Sequence, residues 1–118
     1  MILTLPLISQ MLKKVDIDMK RLKLPRGWQK AFGNQMYDEL ENAAPEGYEV
    51  VEVKEKWGML DVFDWHGNDE TDQIIKRYVE LSKKTCIYCG KPATRTSLGW
   101  ISPFCDRCGP DDDLYEPI

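Results

Sequence analysis

Four cysteines in the last third of the chain constrain its fold more than any other feature. Cys86 and Cys89 form one C-x2-C pair, Cys105 and Cys108 form a second, and fifteen residues separate the pairs. This spacing is typical of a four-cysteine zinc site. Each turn places two thiolates side by side, and a hairpin between the turns brings the pairs together. The sequence therefore predicts one Zn²⁺ ion bound by all four cysteines.

The predicted ligand set also indicates what the ion does. Structural zinc has four protein ligands, whereas catalytic zinc keeps one position open for water or substrate. We therefore expect a structural ion and no enzymatic activity. Gly90 and Gly109 each directly follow a pair, where the turn needs a residue that accepts positive φ. A disulfide and a redox-active C-x2-C are the alternatives.

Length and composition are those of one modest globular domain. The chain has 118 residues, of which 42% are hydrophobic and 31% charged, as in ordinary folded domains. It contains no run of about 18 apolar residues, so no transmembrane helix is expected. The apolar start lacks a preceding basic region and a small-residue cleavage site, so we interpret it as a packed segment and not a signal peptide. Together with zinc thiolates, this favours a reducing cytoplasm.

Charge is distributed unevenly along the chain. Residues 13–30 contain seven basic and two acidic residues, a net charge of +5, whereas residues 31–80 contain four basic and thirteen acidic residues, a net charge of −9. Each block is consistent with a solvated surface. The acidic block also suits docking on a basic partner, because charge complementarity governs association rate and partner choice.

The first part of the chain contains two helical patterns. Apolar residues spaced along one face predict a helix over residues 7–15, followed by an extended connector over residues 16–26. A second helix is predicted over residues 28–43, because its apolar residues recur every three or four positions on one stripe. The members of this stripe are Trp28, Phe32, Met36, Leu40 and Ala43.

The middle of the chain predicts a β-hairpin. A Pro-Glu-Gly turn at residues 45–47 ends the second helix. Two β-rich runs follow, at about 48–56 and 59–65. Trp57 and Gly58 lie between them as a two-residue connection.

A third helix is predicted from the acidic residues near Asp69 to about Lys84, and it leads directly into Cys86. The acidic start and the basic end both suit the helix dipole. Five residues form its expected buried face: Ile74, Ile75, Tyr78, Val79 and Ser82.

The cysteine-rich region predicts a ribbon of two short strands. These strands should cover about residues 93–98 and 100–104. The acidic tail, residues 110–118, has no period. We expect this tail to be frayed, or docked only through Leu114 and Tyr115.

These elements together predict the α+β class, with helices, a small antiparallel hairpin and a C-terminal four-cysteine zinc ribbon. Residues 1–118 should form a single domain. Its α+β body covers residues 1–85, its zinc ribbon residues 86–109 and its acidic tail residues 110–118.

Other polar residues are better interpreted without a catalytic role. His66 is the only histidine, and no positioned nucleophile accompanies it, so we expect an exposed or locally hydrogen-bonded side chain. A carboxylate metal site would need three carboxylates at one point, which no spacing predicts. The four candidate residues are expected to face solvent instead: Glu52, Glu55, Asp61 and Asp64.

Three tryptophans have separate expectations. Trp28 should belong to the core. Trp57, in the hairpin turn, and Trp100, in the ribbon loop, should be partly exposed. Each could pack against the ribbon or serve as a partner anchor, since tryptophan is enriched at interface hot spots.

The motifs also carry a resemblance. Gly27-Trp28, a helix, the run VVEVKEKWGMLDVF, a further helix and a ribbon ending in FCDRC occur in this order over about residues 27–108. This arrangement resembles a family of small phage and prophage proteins with a V-K-E-K-aromatic-G motif and a cysteine-rich ribbon. Two departures exist. Many relatives have Phe or Tyr followed by Gly-Gly at Trp57-Gly58-Met59, and many have histidine in place of Cys108.

The resemblance implies a phage origin and a host-cytoplasm setting. Small acidic phage proteins often block a host machine, and anti-CRISPR inhibitors of Cas9 are similar in size and zinc content. By this analogy, the chain is expected to bind a host protein with a basic surface, such as Cas9, and to hinder DNA loading.

Two other function classes remain open. A zinc-ribbon adaptor in transcription or replication would contact nucleic acid through the basic residues 13–30. The acidic balance of the chain, with pI about 5.0, argues against direct nucleic-acid binding, because such domains are usually strongly basic. An enzyme would need a zinc shell with an open position.

Overall fold

The computed structural model describes residues 24–98, 101–109 and 115–118. Along these residues it contains two helices, a two-stranded antiparallel hairpin and a three-stranded antiparallel sheet. The predicted α+β class is confirmed. The predicted helix over residues 7–15 and most of the predicted connector over residues 16–26 lie outside the described residues.

The first described helix, α1, has three successive parts. A turn of α-helix at Arg26–Trp28 is followed by a π-helical segment at Gln29–Gly33 and by an α-helix at Asn34–Ala43. The predicted apolar stripe is confirmed as the face that enters the core, and burying each large side chain stabilises the fold by about 1.5–3 kcal/mol. The buried members are Trp28, Phe32, Met36 and Leu40, joined by Tyr37.

The wider π-helical turn of α1 was not predicted. Within this turn, Gly33 leaves room for the Gln29 side chain, because a Cβ at Gly33 would lie 2.4 Å from Oε1 of Gln29. The Gln29 side chain bends over Gly33, and its Nε2 donates a 2.9 Å hydrogen bond to Oδ1 of Asn34. The apolar stripe alone does not distinguish this turn from a regular α-helical one.

The predicted hairpin is confirmed. Strand β1, Glu49–Lys56, pairs antiparallel with strand β2, Met59–Trp65. Trp57 and Gly58 connect them with φ values of 57° and 82°. Positive φ at both central residues defines the type I′ turn, whose twist matches that of the flanking strands.

One face of the hairpin packs on the helices. Val50, Val53 and Leu60 are buried in the same cluster as the apolar stripe of α1. The backbone N–H of Leu60 donates a 2.9 Å hydrogen bond to Oγ of Ser82, at the end of the second helix. The inner face of the hairpin is therefore fixed by apolar burial and by one buried polar contact.

The second helix, α2, runs from Asp69 to Ser82 as predicted. Its N-terminus is closed by a reciprocal cap. Oδ1 of Asn68 accepts from the Thr71 backbone N–H, and Oγ1 of Thr71 accepts from the Asn68 backbone N–H, both at 2.8 Å. Two of the unpaired donors at the start of a helix are satisfied in this way.

We expect Asn68→Ala to lower the free energy of unfolding by about 1 kcal/mol, because the substitution removes this cap. Urea denaturation followed by circular dichroism measures the change. Gln73→Ala, on an exposed position of the same helix, is the matched control and should change stability by less than about 0.5 kcal/mol. Equal stability of Asn68→Ala and the parent chain would contradict the prediction.

The C-terminal sheet has three antiparallel strands, and the central strand is the first of the three in sequence. Strands β3, Arg95–Ser97, and β4, Pro103–Phe104, confirm the two predicted ribbon strands but are shorter. Strand β5, Tyr115–Pro117, pairs antiparallel with β3. Of the two expectations for the tail, docking through Tyr115 is confirmed, whereas a frayed tail is wrong for these three residues. Gly99, Trp100 and residues 110–114 lie outside the described residues.

Candidate metal centre

The four cysteine sulfurs come together beside the C-terminal sheet. The sulfurs of Cys86, Cys89, Cys105 and Cys108 all lie within 4.8 Å of one another, and those of Cys89 and Cys105 are 3.6 Å apart. A tetrahedron with metal–sulfur bonds of about 2.3 Å has edges of about 3.8 Å. All four cysteines are free thiols. The cluster therefore has the dimensions of a four-thiolate metal site.

The first pair lies in a tight turn directly after α2. The backbone N–H of Cys86 donates to the carbonyl of Lys91 at 2.7 Å, and that of Gly90 donates to the carbonyl of Cys86 at 3.1 Å. Gly90 has φ of 84°, and Gly109, which follows the second pair, has φ of 100°. Both glycines therefore have the left-handed conformation that the sequence predicts.

The second pair is held by a residue that sequence analysis did not single out. Arg95, on β3, donates from Nε to the carbonyl of Cys105 at 3.0 Å and from Nη2 to the carbonyl of Cys108. Its guanidinium carbon lies 3.8 Å from the ring centroid of Tyr115 on β5. Such a cation–π contact holds the guanidinium in place. Strand β5 thereby supports the second cysteine turn.

The protein environment lowers the pKa of two of the four thiols. At Cys86, burial raises the pKa of the thiol, but backbone hydrogen bonds from Cys89, Cys105 and Tyr88 outweigh that effect. A backbone hydrogen bond from Arg107 lowers the pKa of the Cys105 thiol to about 6. The hydrogen bond between Cys108 and the Cys105 sulfur raises the pKa of the Cys108 thiol to about 12. Four thiolates this close repel one another, and a divalent cation removes that repulsion. A divalent cation bound at the centre of the cluster would favour the thiolate form of all four side chains.

The cluster is buried on one side and accessible on the other. Cys86 is fully buried, whereas Cys89 and Cys108 are partly exposed. A cavity of about 500 Å³ borders the partly exposed side. Its lining includes Cys89, Cys105 and Cys108, together with Lys91 and Arg107. A chelator therefore has a route to the sulfurs from this side.

The start of α1 packs directly on the first cysteine turn. The backbone N–H of Gly27 donates to the carbonyl of Ile87 at 2.8 Å, and Nε1 of Trp28 donates to the carbonyl of Thr85 at 3.0 Å. A Cβ at Gly90 would lie 2.7 Å from the carbonyl oxygen of Gly27. This close backbone contact joins the body of the protein to the metal site.

The remaining candidate residues do not assemble into a second site. Among the described residues, the four cysteines are the one group of His, Cys, Asp or Glu side chains close enough together to hold a metal ion. His66 is exposed, as expected. Glu52 forms a 3.1 Å ion pair with Lys54, and Asp64 accepts a 2.8 Å hydrogen bond from the Tyr48 hydroxyl. Asp61 and Glu55 are half-buried.

The described aromatic residues divide into core and surface groups. Trp28 is completely buried and Trp57 is 70% exposed, as predicted. Trp100 lies outside the described residues. Sequence analysis missed that Phe63 and Trp65 are also exposed. The alternation of β2 carried this signal, because Leu60 and Val62 face inward and strand neighbours point to opposite faces.

The fold and site define an α+β protein with a four-cysteine cluster of metal-site geometry. In comparisons with known proteins, no family model, curated protein or solved structure matches the chain. The resemblance to small phage proteins therefore stays a prediction. Within the described residues, no helix combines the length and apolar character needed to cross a membrane.

Proposed function

We propose that this chain is a non-enzymatic, zinc-stabilised protein that binds a basic surface of another protein. The four-sulfur cluster carries the proposal. Zinc is the divalent ion that four thiolates in a tetrahedral arrangement favour. Four protein ligands complete its coordination, so the ion holds the ribbon and has no position for a substrate. The function is then carried by the protein surface.

The charge of the described surface supports a basic partner. Residues 46–72 contain nine acidic and two basic residues, a net charge of −7. Most of these side chains are exposed. A surface with this charge attracts cationic partners and repels nucleic-acid phosphates. A protein partner therefore fits better than DNA or RNA.

The resemblance to phage proteins narrows the partner to a host defence nuclease, with Cas9 as the leading candidate. Cas9 holds nucleic acid in positively charged channels. An acidic module bound in such a channel would hinder DNA loading in the host cytoplasm. The proposal that the partner is Cas9 is supported by the resemblance, whereas the proposal that the partner is a basic protein is supported by the cysteine cluster and the surface charge.

We expect the purified protein to form a stable complex with Cas9 or with another host nucleoprotein in a binding panel. Raising salt from low to moderate concentration should weaken the complex about tenfold, because screening reduces the attraction between complementary surfaces. The dissociation constant of the complex, measured with one protein immobilised and at several salt concentrations, gives the effect. Recovery of no complex across the panel would overturn the proposal, and so would a gel shift with bare DNA lost on substitution of Lys20, Arg21 and Lys23.

A matched pair of charge variants serves as the control. Glu46→Gln combined with Glu70→Gln removes two exposed acidic groups from residues 46–72. Asp38→Asn combined with Glu80→Gln removes two from elsewhere on the surface. The first variant should weaken binding several-fold more than the second, because both change the net charge equally but only the first lies in the proposed acidic surface.

A further inference from the structure

Two large aromatic side chains are exposed on the outer face of the hairpin. Phe63 is 51% and Trp65 50% exposed, and their rings meet edge to face with centroids 6.2 Å apart. Covering the exposed half of each ring with a partner would be favourable, because it removes apolar surface from water. Neighbouring exposed aromatic rings therefore mark this face as an interaction surface.

Each ring lies directly opposite a glutamate. In the strand register, Glu49 pairs with Trp65 and Glu52 pairs with Phe63. Directly opposite residues share a face of the sheet, with Cβ atoms about 5 Å apart. All four side chains are exposed. At this end of the outer face, two aromatic rings on β2 therefore lie opposite two carboxylates on β1.

Negative charge continues beyond Trp65. The first turn of α2 contains three exposed acidic residues, Asp69, Glu70 and Asp72, and begins four positions after Trp65. Lys54 and Lys56 lie on the same face towards the turn and reduce its negative charge, and Lys54 forms an ion pair with Glu52. Both partners of that pair are more than half exposed, and exposed pairs exchange at little cost.

We propose that the outer hairpin face, defined by Glu49, Glu52, Phe63 and Trp65, binds arginine side chains of a basic protein segment. A guanidinium stacks on an aromatic ring and donates to a neighbouring carboxylate at the same time. Lysine has a compact, more strongly hydrated charge and fits this pairing less well. The inference rests on the proposed function and specifies the binding surface and the chemistry of its partner.

Other occupants suit this face less well. Single-stranded nucleic acid stacks on aromatic rings, but the surrounding carboxylates repel its phosphates. Anionic lipid is disfavoured for the same reason. Self-association is tested by sedimentation, because Lys54 and Lys56 also lie on this face and offset part of its negative charge.

The test uses the full chain loaded with zinc and a short fluorescent peptide of alternating arginine and serine. Measured by fluorescence anisotropy, the affinity for this peptide should be about fivefold higher than for a control peptide in which lysine replaces every arginine. Arginine stacks on an aromatic ring and donates paired hydrogen bonds to a carboxylate, whereas lysine does not. Trp65→Thr should weaken binding of the arginine peptide about tenfold, and Phe63→Thr should weaken it similarly. Threonine keeps the β-propensity of both positions.

Trp57→Asn is the matched control. Trp57 is more exposed than Trp65 but lies in the turn, outside the defined face. Asparagine suits its positive φ, so peptide affinity should change by less than about twofold. Unchanged zinc content and melting temperature in all three variants would show that they fold. Equal binding of the arginine and lysine peptides, or equal loss in the Trp57 and Trp65 variants, overturns the proposal.

The experiments distinguish an error in the assigned binding surface from an error in the proposed function. If the parent chain and the Trp65→Thr variant bind a basic protein equally, the surface assignment falls and the proposed function stands. If the parent binds the arginine peptide in the expected way but no panel protein, the proposed function falls and the surface assignment stands.

Two further measurements detect occupants from this chain itself. A dimer in sedimentation analysis that Trp65→Thr dissociates would assign the face to self-association and overturn the proposal. Tighter peptide binding after neutralisation of Lys20, Arg21 and Lys23 would assign the face to the chain's own basic segment and overturn it as well. A monomer with unchanged affinity supports a separate partner.

Discussion

Removal of zinc by a strong chelator is expected to unfold the ribbon and to lower the melting temperature by more than about 10 °C. Structural zinc contributes roughly 10–16 kcal/mol in small peptides, as much as the whole stability of many domains. The four sulfurs lie within 4.8 Å of one another. Without the positive charge of the ion, nothing offsets the repulsion between their thiolates. Thermal unfolding by circular dichroism, with and without chelator, measures the loss.

Loss of one ligand should have nearly the same effect. Cys86 is fully buried, and its backbone closes the first turn through Lys91 and Gly90. We expect Cys86→Ser to reduce bound zinc from one equivalent to a small fraction, because serine supplies no thiolate and the other three ligands cannot close the shell. Elemental analysis of protein purified under reducing conditions gives the zinc content.

Arg107→Ala is the control for the ligand variant. Arg107 contributes its backbone to Cys105, and its side chain is exposed, so truncation leaves the hydrogen bond in place. We expect full zinc content and a melting temperature close to that of the parent chain. The metal-site prediction would be wrong if a chelator left the melting curve of the parent unchanged, or if reduced protein contained no zinc.

The features that the sequence predicted correctly depend on local patterns. The spacing of Cys86 and Cys89 places two sulfurs in one turn, so the cluster requires only that a ribbon bring the second pair alongside. The stripe of α1 and the buried face of α2 follow from the helical period. Trp57-Gly58 fits a two-residue turn between alternating strands. In each case the determining residues are neighbours in sequence.

The features that were missed depend on partners distant in sequence. Strand β5 has three residues, too few for a periodic pattern, and it is held by the packing of Tyr115 on Arg95. The sequence pointed to Tyr115 as a residue through which the tail could dock, but the acidic tail composition does not indicate its partner, Arg95. The alternation of β2 places Phe63 and Trp65 on the face opposite to Leu60 and Val62, but which of the two faces the helices cover depends on residues distant in sequence. A hydrophobic residue in a strand is by default expected inside.

The contact between α1 and the metal site was also invisible in the sequence, and it gives the second large expected effect. We expect Gly27→Ala to lower the free energy of unfolding by about 2–4 kcal/mol. A Cβ at Gly27 would lie 2.2 Å from the carbonyl oxygen of Cys86 and 2.7 Å from the backbone of Ile87. Backbone cannot move aside as a flexible side chain does, so the packing cost is that of an overfilled core plus a weakened hydrogen bond.

The direction of the stability change in Gly27→Ala distinguishes close packing from helix propensity. Alanine stabilises an ordinary helical position by about 0.8–1.0 kcal/mol relative to glycine, so helix propensity alone predicts a more stable variant. Urea denaturation of zinc-loaded protein distinguishes the two expectations. Gly47→Ala is the control, because Gly47 has φ of 84° and open space around its Cβ. The free energy of unfolding of that variant should fall only by the conformational cost of positive φ, about 1–2 kcal/mol.

Because Gly27 touches the ligand-bearing turn itself, Gly27→Ala should also release zinc faster to a chelator, while Gly47→Ala leaves the release rate unchanged.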